Sequence, residues 1–345
     1  MKTTAFLLVA WQCNALSASS AQQRVVVAGA TGRVGRLVVS ELLSRNSTVV
    51  TAIVRDDEKA KATLPLDHPR LEVASDIKLT NSKAVETMVS EADVVVWCAT
   101  GFSDAASPLN RLRAVAELMM GSSTASFDVR ALGLLGDAVR ERDTCRVVCC
   151  SSAAVTRPAW DDAKKERYKG ASDIPIVRLN PLNILDVKRT AEETLRVRSG
   201  GRYTIVRPTG LNDDWPRGRV VVSQGDLAVG RISRADVAAV LASLAVDVEA
   251  SVVNGLTFEM FALAGYPAPA SLDAQLARLR RDDRALESFE TLDATYALLQ
   301  QLVPGETLRP QDLAMGQTYE QLDAGETGRL GARGAENVPP DFVRT

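Results

Sequence analysis

The chain contains a single histidine, His68, beside Pro69 in a polar stretch. A zinc centre or acid–base chemistry built on imidazole is therefore not expected. Aromatic residues make up only 5% of the chain and the net charge is −2, so there is no electrostatic footprint for nucleic acid. No apolar run approaches the roughly 20 residues that a membrane-spanning helix requires. Cysteines are few and lack metal-ligand spacing: Cys98, Cys149 and Cys150 lie inside apolar, strand-like segments, while Cys13 and Cys145 stand apart. The three strand cysteines are expected to be buried, reduced thiols.

What the sequence does have is concentrated between Arg24 and Leu43, RVVVAGATGRVGRLVVSELL. A short apolar run, Val25 to Ala28, breaks into Gly29-Ala30-Thr31-Gly32-Arg33-Val34-Gly35. Beyond the break, Val34, Leu37, Val38 and Leu42 recur at helical spacing. Strand, glycine-rich turn and helix N-terminus in succession are the context that a dinucleotide fingerprint requires. The glycines permit a tight turn and close backbone approach to a pyrophosphate, whose charge the helix N–H groups and dipole then hold. A site selecting NAD needs an acidic residue after the second strand, to accept from the ribose 2′-hydroxyl. Here Val54 is followed by Arg55, then Asp56 and Asp57. Arg55 offers a fork for a 2′-phosphate and Arg33 a second cation, which favours NADP over NAD. A shift of one residue in register would instead put Asp56 in the selecting position.

With 345 residues and 46% apolar content, the chain supports one large α/β domain or a domain with an appendage. Strands are expected at Val25–Ala28, Val49–Val54, Leu71–Ala74, Val94–Ala99, Arg146–Cys150 and Thr204–Arg207. Helices are expected at Gly32–Ser44, Ser82–Ser90, Val129–Arg142, Ile184–Arg198 and Arg234–Val246. This alternation predicts a doubly wound parallel sheet with helices on both faces. The continuous runs VVVWCA and VVCC suit strands buried on both sides. Ser103–Ser126 reads as a loop-helix insertion, and it and Trp160–Asn180 read as the substrate loops. The resulting division is a targeting segment at 1–23, the nucleotide-binding domain at 24–265, a helical C-terminal appendage at 266–324 and a disordered tail at 325–345. Within the appendage, Leu272–Leu286 and Ala294–Leu302 read as amphipathic helices.

The targeting reading rests on Lys2 as a basic n-region, Ala5 to Trp11 as a short apolar h-region, and Cys13-Asn14-Ala15 ending in a small residue. Leu16 to Gln23, LSASSAQQ, follows; it is serine-rich, free of acidic residues and transit-like. Together these resemble the bipartite plastid address of algae with complex plastids. A plain secretory signal or an untargeted extension are the alternatives, the former at odds with a nicotinamide site and unpaired thiols.

Further blocks accompany the glycine turn, whose GxxGxxG spacing is that of short-chain dehydrogenase/reductases. They are CATGF at Cys98–Phe102, SSAAVTRP at Ser151–Pro158, NILDVKRTAEETLR at Asn183–Arg196, YTIVRPTGL at Tyr203–Leu211 and RISRADVA at Arg231–Ala238. In this order they resemble the atypical, NmrA-like short-chain dehydrogenase/reductases, especially plant and algal chloroplast NAD(P)-binding proteins, across residues 24–261. The resemblance implies a Rossmann-like sheet and a nicotinamide cofactor, with a small-molecule substrate or a plastid protein as partner. It implies a cofactor site built from Gly29, Thr31, Gly32, Arg33, Val34, Gly35 and Arg55, with Ala99, Thr100 and Gly101 making room at the end of the fourth strand. Asp76 would contact the adenine, and the turn holding Pro208 and Gly210 would cover the nicotinamide amide. In the wider superfamily a serine, a tyrosine and a lysine four residues beyond it perform the chemistry. Ser152 (or Ser151) matches the serine and Lys188 the lysine, but Ile184 stands at the tyrosine position. Lys188 shares the stripe of Ile184, Ala191 and Leu195, an apolar face and not a solvated one. It would donate to the nicotinamide ribose hydroxyls, or act as acid–base as in isoflavone-reductase-like relatives. Tyr168 or Tyr203 would have to replace the missing hydroxyl from elsewhere, and Asn183 offers only a neutral amide.

Overall fold

The computed structural model describes residues 22–75, 77–101, 124–264, 266–267, 271–284 and 288–305. The readings for residues 1–21, Asp76, 103–123 and the tail lie outside these residues. Alternating apolar segments form β1 (Gln23–Ala28), β2 (Thr48–Ile53), β3 (Leu71–Ala74), β4 (Val94–Trp97), β5 (Arg146–Cys150), β6 (Tyr203–Pro208), β8 (Gly218–Ser223) and β10 (Leu256–Ala264). They make one eight-stranded sheet of order β3-β2-β1-β4-β5-β6-β10-β8. All neighbours pair in parallel except β10 with β8. The strand order reverses between β1 and β4, and ligands bind outside the carboxyl ends of the strands at such a switch point. Two short strands, β7 (Gly210–Leu211) and β9 (Arg231–Ile232), pair separately.

The period of two along each strand divides the core into two layers. Val25, Val27, Val94 and Val96 pack under α1 (Gly35–Leu43) and α6 (Arg234–Val246). Val26, Ala28, Val95 and Trp97 face the opposite layer, made by α3 (Ser82–Ser90), α4 (Thr124–Glu141) and α5 (Ile184–Arg198). Helix α2 (Asp57–Thr63) follows β2. The expected α/β doubly wound sheet is therefore present.

Several boundaries differ from expectation. The first helix begins at Gly35, because the Gly32 N–H turns back to the Gly29 carbonyl at 2.9 Å. The fourth strand stops at Trp97, and the helix expected from Val129 already starts at Thr124. Trp160–Asn180 is no loop: it carries short helices at Asp162–Arg167, Lys169–Ser172 and Pro175–Leu179. The helix expected at Leu272–Leu286 shrinks to Asp273–Leu276. Beyond it, the Gln224 side chain holds both the N–H and carbonyl of Arg280, and the Asp282 N–H goes to the Gly255 carbonyl. Those backbone groups have tertiary partners in place of helical ones. The helix expected at Ala294–Leu302 is longer, as α7 (Phe289–Gly305). Its Leu292 and Leu299 bury themselves with Trp160, Tyr168, Leu227 and Phe261 in a third cluster, so this part of the appendage shares the domain's core.

Candidate active site

A cleft of about 850 Å³ runs along the carboxyl ends of β1, β2, β4 and β5. Gly29, Thr31, Gly32, Arg33 and Val34 line its centre. Gly29 has φ +78°, and a Cβ on it would come within 2.7 Å of the Ala99 backbone nitrogen. Gly35 does not line the cleft but locks the turn onto α1: a Cβ there would sit 2.2 Å from the Gly29 carbonyl oxygen. The turn, the helix start and the end of β4 thus close on one another only because these two side chains are missing. Helix α1 begins without a side-chain cap at Val34. A strand-end cradle with this backbone fits the pyrophosphate of a dinucleotide.

One end of the cleft is basic, lined by Arg33, Arg55, Lys59 and Lys78. Asp56, the competing candidate, is committed elsewhere: its carboxylate caps α2 by accepting the Lys59 N–H at 3.0 Å. In the middle, Ala99 and Thr100 form the wall. Gly101 contributes differently, donating its N–H to Asp128 Oδ2 at 3.0 Å. Thr100 Oγ1 stands 3.5 Å from the same oxygen. Asp128, buried on α4, was not anticipated. Burial raises its pKa, against the Gly101 hydrogen bond and the Lys188 charge, which lower it.

The other end gathers Cys98, Cys150, Ser151, Ser152, Ile184, Lys188 and Leu211. Lys188 is half-buried here while Ala191 and Leu195 continue the stripe into the core, as their spacing predicts. The two serines separate by their partners. Ser151 lies near enough to Glu192 to favour its ionised form, and that carboxylate is gripped by Arg207 at 2.6 and 3.1 Å and by Arg196 at 3.0 Å. Ser152 Oγ makes only a local bond, 2.9 Å to the Ala153 carbonyl. Burial works against ionising Glu192, yet the Arg207 charge and hydrogen bonds hold its carboxyl below the usual range.

Ser151, Ser152 and Leu211 also border a second cavity of about 260 Å³, otherwise lined mainly by Ile174, Ile176, Pro208, Thr209, Gly210 and Val229. Pro208 and Gly210 belong to this smaller space and not to the wall of the main cleft. Its walls are held by Arg157, fully buried, which donates to the carbonyls of Asp226, Ala171 and Ala228 at 2.6–2.7 Å. Asp226 in turn accepts the Ala154 and Thr156 N–H groups at 2.6 and 2.8 Å. No local pattern marks this clamp, since its halves lie 69 residues apart.

Neither tyrosine replaces the missing hydroxyl. The Tyr168 hydroxyl donates to Asp293 at 3.0 Å and that of Tyr203 to Asp282 at 2.9 Å, and neither residue lines the cleft. Asn183 is exposed at φ 52°, just before α5. His68 accepts the Arg70 N–H at 3.2 Å, a local loop contact. The strand thiols are not uniformly buried: Cys149 is, whereas Cys98 and Cys150 are half-buried on the cleft wall.

Comparison with known proteins agrees with this geometry. A family model described as NAD(P)H-binding matches residues 29–247. An uncharacterized chloroplastic protein of Arabidopsis thaliana is 33% identical over 231 residues, 66% of this chain and 74% of that protein. Among solved structures, an oxidoreductase from Lactococcus lactis superposes with a TM-score of 0.53 at 15% identity, covering 76% of this chain and 100% of that one. A short-chain dehydrogenase/reductase from Veillonella parvula gives 0.50 at 18% identity, over 72% and 99%. At such identities the two structures speak for the fold.

Proposed function

We propose that this chain, which belongs to the NAD(P)H-binding family, is an NADP(H)-dependent oxidoreductase that reduces a small carbonyl or an activated double bond. The observation that carries the reading is that Lys188 and Ser152 line one cleft, beside a smaller, largely apolar cavity that Ser152 also borders. When bound, the nicotinamide supplies hydride. Ser152 donates its hydroxyl to the substrate oxygen and fixes its position. The Lys188 ammonium donates to the nicotinamide ribose hydroxyls and stabilises the negative charge that grows on that oxygen, delivering the proton from Nζ. The Glu192–Arg207 pair holds Ser151 beneath them, and the Arg157–Asp226 clamp fixes the cavity wall. Fluorescence of bound NADPH, followed by stopped flow against a broad carbonyl and enone panel, tests this. Oxidation no faster than that of free NADPH on every substrate, or an unaltered rate in Lys188→Ala, refutes it.

Preference for NADP over NAD is part of the proposal. Its support is Arg55 and Arg33 on the cleft wall, with Asp56 withdrawn to cap α2. A second reading, a non-catalytic NADP(H)-binding scaffold or redox sensor in plastid protein assembly, is favoured by Ile184 facing the cleft where the superfamily carries its proton donor. Recovery of a protein partner from plastid extract in an NADP- or NADPH-dependent manner would support it, and capture of none under either redox state would remove it. For location we propose the plastid, on the composition of residues 1–23 and the chloroplastic Arabidopsis relative. A fluorescent fusion of the full chain that accumulates in the secretory pathway would overturn that assignment.

A further inference from the structure

Trp97 on β4 stands opposite Cys149 on β5 in the parallel ladder, so the next residues, Cys98 and Cys150, face each other across the strand ends. Both pack against the same core layer, on the α1 side, while Trp97 and Cys149 point to the other. Each thiol acts on the other's ionisation, Cys98 being held protonated and Cys150 shifted towards its thiolate, with the Lys188 charge also favouring ionised Cys150. Both residues are half-buried and line the cleft, by which a small oxidant would reach them. Cys145 and Cys149 are buried instead, and burial pushes the Cys145 thiol up to about 12 and that of Cys149 higher still.

We propose that Cys98 and Cys150 form a redox-active dithiol, which a hydroperoxide closes to a disulfide and whose closure weakens the cofactor site. Cys150, as thiolate, attacks the O–O bond: an S–O bond forms, the distal oxygen leaves with the released proton as water or alcohol, and Cys150 becomes a sulfenic acid. Cys98 then attacks that sulfur. The S–S bond forms, the S–O bond breaks, and hydroxide departs with the Cys98 proton as water. Two thiols give up two electrons and one hydroperoxide takes them.

Adjacent strands lie about 4.8 Å apart, within the Cα–Cα span of about 4.4–6.8 Å that a disulfide accepts, so a bridge can close with only the two Cβ atoms drawn in to about 3.8 Å. Closure then ties the two strand ends to one another. Those ends lead directly into Ala99-Thr100-Gly101 and into Ser151-Ser152, the walls of the cleft. A bridge on the cleft wall is also open to a reductant, which suits a reversible modification more than a structural staple.

The test uses the full-length protein, titrated with hydrogen peroxide, alkylated and mapped by peptide mass spectrometry. A Cys98–Cys150 bridge reversed by dithiothreitol is expected, and in Cys98→Ser the reaction should stop as a dimedone-trappable sulfenic acid on Cys150. Persistently alkylatable Cys98 and Cys150, or a bridge to another cysteine, would overturn the proposal, and so would overoxidation of Cys150 with Cys98 untouched. The second half rests on the cofactor reading. NADPH titration of the bridged protein should give an affinity lower by about tenfold, recovered on reduction, and an unchanged affinity overturns that half. If the reduced protein binds no NADPH, it is the cofactor reading that fails, and the bridge mapping still decides the dithiol.

Discussion

Replacing Gly35 with alanine probes the interlock on which the whole cleft depends. The added methyl would lie 2.2 Å from the Gly29 carbonyl oxygen, 2.9 Å from its carbonyl carbon and 3.1 Å from Ala30 Cα. That is more than an ångström inside ordinary contact with the nearest atom, and every one of these atoms is backbone. Gly29 cannot yield, because it is itself pressed against the Ala99 backbone and its carbonyl accepts the Gly32 N–H. Insertion of excess volume into a packed region costs about 1–3 kcal/mol, and the rigidity of these neighbours puts Gly35→Ala at the upper end. The small gain in helix propensity at a first-turn position does not offset it. For a domain of this size each kcal/mol is worth about 2–4 °C of melting temperature, so a loss of about 6–12 °C is expected.

The control is Gly201→Ala. Gly201 also has positive φ, +82°, but no atom lies within 4 Å of where its Cβ would stand. Its cost is conformational only, about 1–2 kcal/mol. Since both variants lower the melting temperature, the deciding measurement is NADPH affinity by fluorescence titration. Gly35→Ala should lose it by about tenfold or more, because the turn that carries Thr31, Gly32 and Arg33 must shift. Gly201→Ala should retain it. A Gly35→Ala protein with native melting temperature and native affinity would refute the interlock and with it the assignment of this turn as the cofactor cradle.

Arg55→Ala should cost about 1.5–3 kcal/mol of NADP binding, the worth of a hydrogen bond to a charged group, and leave NAD binding nearly unchanged; equal losses in parallel titrations would remove Arg55 from the 2′-phosphate role. Arg207→Met leaves the buried Glu192 carboxylate with Arg196 as its remaining cation and should destabilise by about 3 kcal/mol in urea unfolding at pH 7, the low end for a broken buried pair. Because the folded state holds the Glu192 pKa below its ordinary 4.5, its contribution is complete above that pH and is lost as the pH falls through the depressed value. The deficit of Arg207→Met should therefore narrow in acid, and an equal deficit at pH 7 and pH 3.5 would refute the pairing argument. Ile184→Tyr restores a phenol four residues before Lys188 on a cleft-facing stripe. If the chain reduces carbonyls, turnover should rise by about 10²-fold, the lower range for a positioned acid, and unchanged turnover would mean that proton delivery does not limit the reaction.

The cofactor end of the cleft was legible because it is written locally. Gly29 to Gly35 carries turn and helix start within a few residues, and continuous apolar runs such as Val25–Ala28 announce strands buried on both faces. Helix α5 matches its expected bounds to the residue, and Lys188 on its stripe lines the cleft. The features that were not legible depend on partners distant in the chain. Asp128 supports the Thr100–Gly101 turn from another helix, and the Arg157–Asp226 clamp joins segments that share no periodicity. Strand β8 eluded the reading because it owes its place to antiparallel pairing with β10. Leu272–Leu286 has apolar spacing that favours a helix, but Gln224 and Gly255 take its backbone groups, so tertiary contacts override the local preference.

The same division bears on what the family resemblance can carry. The cradle requires only backbone shape, which two glycines enforce, so any relative that keeps the turn keeps the cofactor. Reduction requires a proton donor within hydrogen-bond reach of one substrate atom, and side chains supply it one at a time. Here Ile184 stands where the resemblance implies a tyrosine, while Ser152 and Lys188 both line the cleft and Ser152 borders a separate cavity as well. A half-buried ammonium on an apolar stripe costs desolvation free energy unless a partner recovers it. The ribose hydroxyls recover that cost in either reading, but only a substrate oxygen gives Ser152 a partner facing the cavity. Lys188→Met, which keeps the stem and removes the charge, separates the two: equal losses of cofactor affinity and turnover place Lys188 on the ribose alone. A loss in turnover well beyond the loss in affinity places its proton on the reacting oxygen.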